Sequence, residues 1–249
     1  MSKSNYSAYM AIKNKILEIV RSETFEKNKL PSEAALANRL GISLVTLRES
    51  LMMLALEGYI TKRHGSGNYV HPSTLDFANR TYSFLDHLSQ KGYRAGLQLL
   101  SQERVPAGRE EAEVLHVPEG ELLLENRLVY LADEQPAIYT VSRMPEALLV
   151  RSDVEQMPFA YVHILIQDFM NREVAHALSE YVPLAVDEGL SRLLKLPAGH
   201  SIQSSSQVFY DITDQQVMYN QNYFHPDYYR LRILQNWDLG RGGPLPAET

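Results

Sequence analysis

"GISLVTLRES", residues 41–50, decides how the first third of this chain is read. Gly41 ends one helical pattern and Ser43 is placed to cap the next, in which Leu47, Leu51, Leu54 and Ala55 recur at helical spacing down to Gly58. That stripe suffices to bury one face of the helix. Leu44 and Val45 are left pointing outward at its N-terminal end, where apolar groups meet a partner rather than a core.

Upstream, "YMAIKNKILEIVRSE" sets Tyr9, Ile12, Ile16, Ile19 and Val20 three and four apart, an amphipathic helix. "KLPSEAALANRLGI" follows, with Pro31 just inside a second helix, Ser32 and Glu33 in its first turn, and Leu36 and Leu40 on one face. Two helices joined by a short glycine turn form a helix-turn-helix, whose second helix enters the major groove by its N-terminal residues. Those residues are Ser43, Leu44, Val45, Thr46 and Arg48. Downstream, "YITKRHGSGNYV" alternates as strand, turn and strand, with its tip at His64, Gly65, Ser66 and Gly67. Lys62, Arg63 and His64 bring donors to that tip, and its glycines let the backbone approach phosphate.

The charge divides at the same place. Residues 1–73 hold 10 Lys/Arg against 6 Asp/Glu, a surplus of 4; the rest hold 14 against 24, a deficit of 10. A basic head on an acidic body assigns contact with a polyanion to the first segment alone. With 249 residues the chain suits two domains. It contains no cysteine, which removes disulfides, thiol nucleophiles and Cys-type zinc sites from consideration. The first residues lack an apolar signal core and no run is long enough to span a bilayer, so a cytoplasmic protein without membrane contact is expected.

"HPSTLDFANR", residues 71–80, has the composition of a connection. The expected organisation is a DNA-binding domain at 1–73, a linker at 74–80, a second domain at 81–238 and a Gly/Pro-rich tail at 239–249. Within the second domain one pattern occurs twice: a short acidic helix, a Pro-x-Gly turn at Pro118 or Pro197, a strand, an Asp turn near Asp133 or Asp214, and a returning strand. A helix from "PFAYVHILIQDFM" and a strand from "EVAHALSEYVP" complete it. Hairpins require antiparallel pairing, so the class is α+β rather than doubly wound. An enzyme is disfavoured: there is no justifiable Ser-His-Asp order and no Gly-rich phosphate loop, and His163, Asp168 and His176 do not share the helix face a metal would need.

In "LPSEAALANRLGIS", "TLRESLMMLALEGYI" and "KRHGSGNYV" the first seventy residues resemble the GntR family of winged-helix transcription regulators. The resemblance implies operator contacts from Ser43, Thr46 and Arg48, and a wing tip at His64 and Gly65 entering the minor groove. Ala34, Leu44 and Val45 stand where many members carry polar readers, and apolar groups there can touch thymine methyls. The remainder, from "SFLDHLSQKGY" through "LADEQP" to "YDITDQQVMYNQNYFHPDYYR", resembles the UTRA effector domain of the HutC branch, with a chorismate-lyase-like fold. The alternating strands argue against the all-helical effector domain of the FadR branch. The resemblance implies a homodimeric, effector-responsive repressor of operator DNA with no cofactor. Its effector contacts are expected among Ser83, Arg127, Arg143, His163, Arg172 and Tyr219. Val129 replaces the second arginine of the family's sugar-phosphate pair, which disfavours a phosphorylated sugar.

Overall fold

The structure, a computed structural model, describes residues 3–63, 65–75 and 83–233. They form two compact units, one up to residue 75 and one from residue 83 to Leu231. The expected wing-tip residue His64, the tail at 239–249 and most of the linker lie outside the described residues. The part of the linker within them is not loose: Pro72–Leu75 is one helical turn, with Thr74 buried and bonded through its hydroxyl to the His71 carbonyl at 2.8 Å.

In the first unit α1 (Lys3–Ser22), α2 (Glu33–Leu40) and α3 (Leu44–Leu56) pack on an antiparallel hairpin of β1 (Ile60–Arg63) and β2 (Gly67–Val70), followed by the short α4 (Pro72–Leu75). Ile12, Ile16 and Val20 of α1 meet Leu36 of α2 and Leu47, Leu51 and Leu54 of α3, with Ile60 and Val70 of the hairpin closing the cluster. Each leucine so buried contributes about 2 kcal/mol. One local reading changes: Ser32, not Pro31, marks the boundary of α2, because the Ser32 side chain accepts the Ala35 amide and Pro31 precedes the cap.

The second unit is one antiparallel sheet of six strands in the order β3-β4-β5-β8-β7-β6. Its elements are α5 (Phe84–Gln90), β3 (Ala95–Pro106), α6 (Arg109–Leu115), β4 (Leu122–Ala132), β5 (Gln135–Pro145), α7 (Val162–Met170), β6 (Val174–Ala185), α8 (Glu188–Leu194), β7 (Ser201–Asp211) and β8 (Gln216–Phe224). The duplication is larger than the helix-hairpin read from sequence. Boundaries recur 79 positions on: Ala95 as Val174, Pro106 as Ala185, Arg109 as Glu188, Leu115 as Leu194, Leu122 as Ser201 and Ala132 as Asp211. Even the turns match, since Gly120 and Gly199 take positive φ angles of 83° and 79° and donate to Ala107 and Val186 carbonyls at 2.8 and 2.7 Å. The outer strands β3 and β6 thus belong to the repeat.

Helices cover both faces of the sheet. Ala112 and Leu115 of α6, with Leu190 and Leu194 of α8, pack on Leu123, Val129, Tyr139, Val141 and Tyr219. On the other face Leu88 of α5 meets Leu128, Ile138 and Phe224, while Leu165, Ile166 and Phe169 of α7 meet Leu124, Met144 and Met218. The helix expected from residue 158 begins only at Val162, since the chain turns through Pro158 to Tyr161 first.

Asp211 fastens the end of this second layer. Its buried carboxylate accepts the Thr213 amide and hydroxyl, the Gln215 amide and the Arg172 guanidinium. Burial alone would raise its pKa; these donors hold it down to about 2. A depressed carboxylate stabilises the fold fully above its ordinary value of 3.8, and that contribution is lost as pH falls through about 2. Asp211→Asn is expected to cost about 2 kcal/mol at neutral pH. Urea unfolding followed by circular dichroism checks this: the gap from the unaltered protein should hold down to pH 5 and close below the ordinary carboxylate range.

Candidate functional site

Two regions of the molecule carry exposed or buried groups beyond what the fold requires. The first is the outer face of α3. Ser43 caps it by accepting the Thr46 amide at 3.1 Å, and the two hydroxyls lie 2.8 Å apart. Gly41 closes α2 at φ +66°, a left-handed conformation that lets the chain reverse into this cap. With Leu47, Leu51 and Leu54 wholly buried, Leu44 is 41% and Val45 64% exposed, as the spacing predicts. Arg48 projects beside them and pairs with Glu33 of α2, Nε to Oε2 2.7 Å. Glu33 in turn lies within hydrogen-bonding reach of Asn68 of β2, and these contacts, with Lys62, hold its carboxyl below the usual range, the Arg48 bond first.

The hairpin is held at its base from outside. Lys29 bridges Tyr69, and the Leu30 amide donates to the Asn68 carbonyl at 2.9 Å. Near the tip Ser66 and Tyr69 hydroxyls meet at 2.6 Å, and the Arg63 guanidinium lies over the Tyr69 ring. Lys62, Arg63 and Gly65 are exposed, so the described donors near the tip stand on the solvent side of a braced hairpin.

In the sheet unit the six expected effector residues do not converge. Side chains alternate along a strand, so register fixes which face each occupies. Glu125, Arg143 and Tyr219 stand opposite one another across β4, β5 and β8, and Arg127 lies on the same face as Glu125, under α6 and α8. There Arg143 donates to Glu125 at 2.8 Å and to Gln221 at 2.7 Å, with Glu111 3.5 Å away; Arg127 donates to Glu125 at 2.8 Å. Burial would raise Glu125, and the two guanidiniums hold it low instead. The Tyr219 hydroxyl donates to Glu110 at 2.6 Å, and burial with that bond pushes its pKa up. These groups satisfy one another. Arg172 is tied to Asp211 and Gln215, Ser83 accepts the Leu85 amide as the cap of α5, and His163 is exposed on the first turn of α7.

The opposite face, between α5 and α7, holds what sequence reading missed. Gln102, Asn126, Ser142, Asn220, Gln207 and Ser179 lie opposite one another across all six strands, a row of amides and hydroxyls. Beside it runs a second row, Leu99, Leu128, Thr140, Asn222, Ser205 and Tyr181. Thr140 donates to Asn222 at 2.8 Å and Asn222 to Ser205 at 3.2 Å; Gln102 donates to Asn126 at 2.8 Å and Gln207 to Ser179 at 3.0 Å. Asn126 Nδ2 and Asn220 Oδ1 are buried without a hydrogen-bond partner among the described residues. The signal in the sequence was small polar residues two apart, Thr140 with Ser142 and Asn220 with Asn222. Among the described residues no group of three or more His, Cys, Asp or Glu could hold a metal.

The comparisons agree with this division. The family model for bacterial regulatory proteins of the gntR family matches residues 8–70, and that for the UTRA domain matches residues 90–230. An uncharacterized HTH-type transcriptional regulator of Rhizobium meliloti is 30% identical over 82% of this chain and 84% of its own length. The mannosyl-D-glycerate transport/metabolism system repressor of Escherichia coli is 25% identical over 91% of this chain and 95% of its own. Among solved structures, a possible transcriptional regulator of Bacillus subtilis superposes with a TM-score of 0.74 at 18% identity, covering 92% of this chain and 99% of its own. That likeness speaks for the fold.

Arg143→Ala should lower stability by about 2 kcal/mol, because it leaves the buried Glu125 with the half-exposed Arg127 as its remaining guanidinium partner. Chemical denaturation of both proteins measures the difference.

Proposed function

Because the chain belongs to the GntR family of bacterial regulatory proteins, in the HutC branch that carries a UTRA domain, we propose that it is a repressor whose grip on operator DNA is set by a small metabolite bound in the sheet unit. Its family and relatives are transcription regulators, not enzymes. The observation that carries the DNA half of the reading is the outer face of α3: Leu44, Val45 and Arg48 are exposed at the end of a helix whose buried stripe is already complete. In this reading Ser43 and Thr46 meet phosphate or base edges, Leu44 and Val45 meet thymine methyls, and Arg48 meets guanine or phosphate. Lys62, Arg63, Gly65 and His64 serve the wing.

Two heads on one homodimer would read two half-sites about one helical turn apart, and an effector that alters their spacing alters affinity. In the sequence α5 is the first described element after the residues joining the two units. The curated relative from Escherichia coli is named as a repressor of a transport and metabolism system, which supports the same logic here. A cytoplasmic location would follow from work on chromosomal DNA. No described helix is long and apolar enough to cross a membrane.

Fluorescence anisotropy against the DNA upstream of its own gene, with a scrambled duplex as control and two salt concentrations, tests the reading. Preferential binding that weakens with salt is expected; equal, weak binding to both duplexes contradicts it. Arg48→Ala should weaken operator binding at least tenfold, about 1.4 kcal/mol. Glu33→Gln should act in the opposite sense, raising affinity for both duplexes a few-fold at low salt by removing the carboxylate that faces Arg48 and Lys62.

A further inference from the structure

We propose that the effector of this protein is an uncharged carbohydrate, gripped through its hydroxyls by the two polar rows between α5 and α7. The proposal rests on the reading of residues 83–231 as the effector domain and adds the chemical class of its ligand.

Asn126 and Asn220 are both more than nine-tenths buried, and each has one amide atom without a hydrogen-bond partner among the described residues. A buried polar atom left unmade is costly, so a site that keeps two of them on one line is built to receive something that bonds them. Ser142 stands between them, and two strand spacings set their backbones about 10 Å apart. One end offers an N–H donor and the other a carbonyl acceptor. Hydroxyl groups answer both, since each donates and accepts. The span exceeds one hexose ring and suits a disaccharide or glycoside.

No residue in either row carries a charge. Nearby charged groups are already engaged: Asp86 of α5 accepts the Tyr161 hydroxyl at 3.1 Å, and Arg172 is held by Asp211. His87 of α5 is neutral at physiological pH, burial lowering its pKa to about 4. Among the described residues neither row contains a Lys or Arg, and Arg104 beside Gln102 is paired with Glu146, so a phosphate or carboxylate drawn into these rows is disfavoured. Apolar rows border the site, Leu124, Met144 and Met218 toward α7 and Tyr130, Ile138 and Phe224 toward α5. Such walls suit the C–H faces of a sugar ring. The Tyr161–Asp86 bond joins the two helices that roof the rows, so entry of a ligand and movement of α5 are linked.

Thermal unfolding of the full chain tests the assignment with millimolar maltose, sucrose, lactose, cellobiose and melibiose, against glucose 6-phosphate, glucosamine 6-phosphate and gluconate. At least one neutral disaccharide should raise the melting temperature by several degrees, and the charged set should leave it unmoved. Asn126→Leu should abolish that rise, while its ligand-free melting temperature falls by no more than the loss of one hydrogen bond, because Asn126 also accepts from Gln102; Asn220→Leu serves if the first variant does not fold. A shift confined to the charged compounds overturns the ligand class but leaves the effector reading standing. A shift retained in the asparagine variants overturns the site, and silence of the whole neutral set overturns the carbohydrate assignment. Operator anisotropy on the same samples separates the two ideas: a sugar that binds without changing operator affinity upholds the ligand and removes the effector role.

Discussion

The pairing of β5 with β8 holds the second unit together. In the sheet order this line joins the first half of the repeat to the second, with Ile138 opposite Phe224 and Arg143 opposite Tyr219 at its ends. Near its middle the buried Thr140–Asn222 hydrogen bond fixes the register from the side chains as well as the backbone. A slip of one residue would carry Asn220 and Asn222 to the face of α6 and α8 and bring Tyr219 and Gln221 beneath α7. The polar rows, the ion network around Arg143 and the apolar layers all presuppose that register.

Short-range patterns made the first unit legible. Its helices, its glycine turn, its cap at Ser43 and its hairpin are each written within about a dozen residues, and the outward placement of Leu44 and Val45 followed from periodicity alone. The α+β class and the duplicated hairpins of the second unit were legible for the same reason. The arrangement of its polar groups on the two faces of the sheet was not. Arg127 lies on the face that strand register gives it, Ser83 caps the helix that covers the other face, and the asparagine and serine residues look unremarkable until six strands align them. The repeat was underestimated because β3 and β6 are edge strands, whose exposed residues carry no clear alternation. The salt bridge of Arg48 with Glu33, fifteen positions away across the helix pair, is likewise beyond the reach of local patterns.

The same contrast appears in how the two units handle charge. In the first, ion pairs such as Arg48 with Glu33 and Arg39 with Glu23 lie near the surface, where they cost little to open. Lys13 with Glu57 is the buried exception, tying α1 to the end of α3 at 3.1 Å. In the second unit, Arg143 and Glu125 are enclosed and mutually satisfied. Readily opened pairs belong to a surface that exchanges partners, and closed ones to a frame that must keep its shape.

The 79-residue recurrence has an ancestral consequence. A half-domain with this plan, paired with a second copy through its β5-equivalent strand, would build the same six-stranded sheet as a symmetric dimer, and the rotation would exchange the two polar rows: Asn126 corresponds to Ser205, and Leu128 to Gln207. In one chain the two halves need not be identical. One row is now polar across its whole width, while the other is polar through its middle and apolar at Leu128 and Leu99. A symmetric cradle would accept a guest in either of two orientations; the broken symmetry of this one would give a molecule bound there a head and a tail.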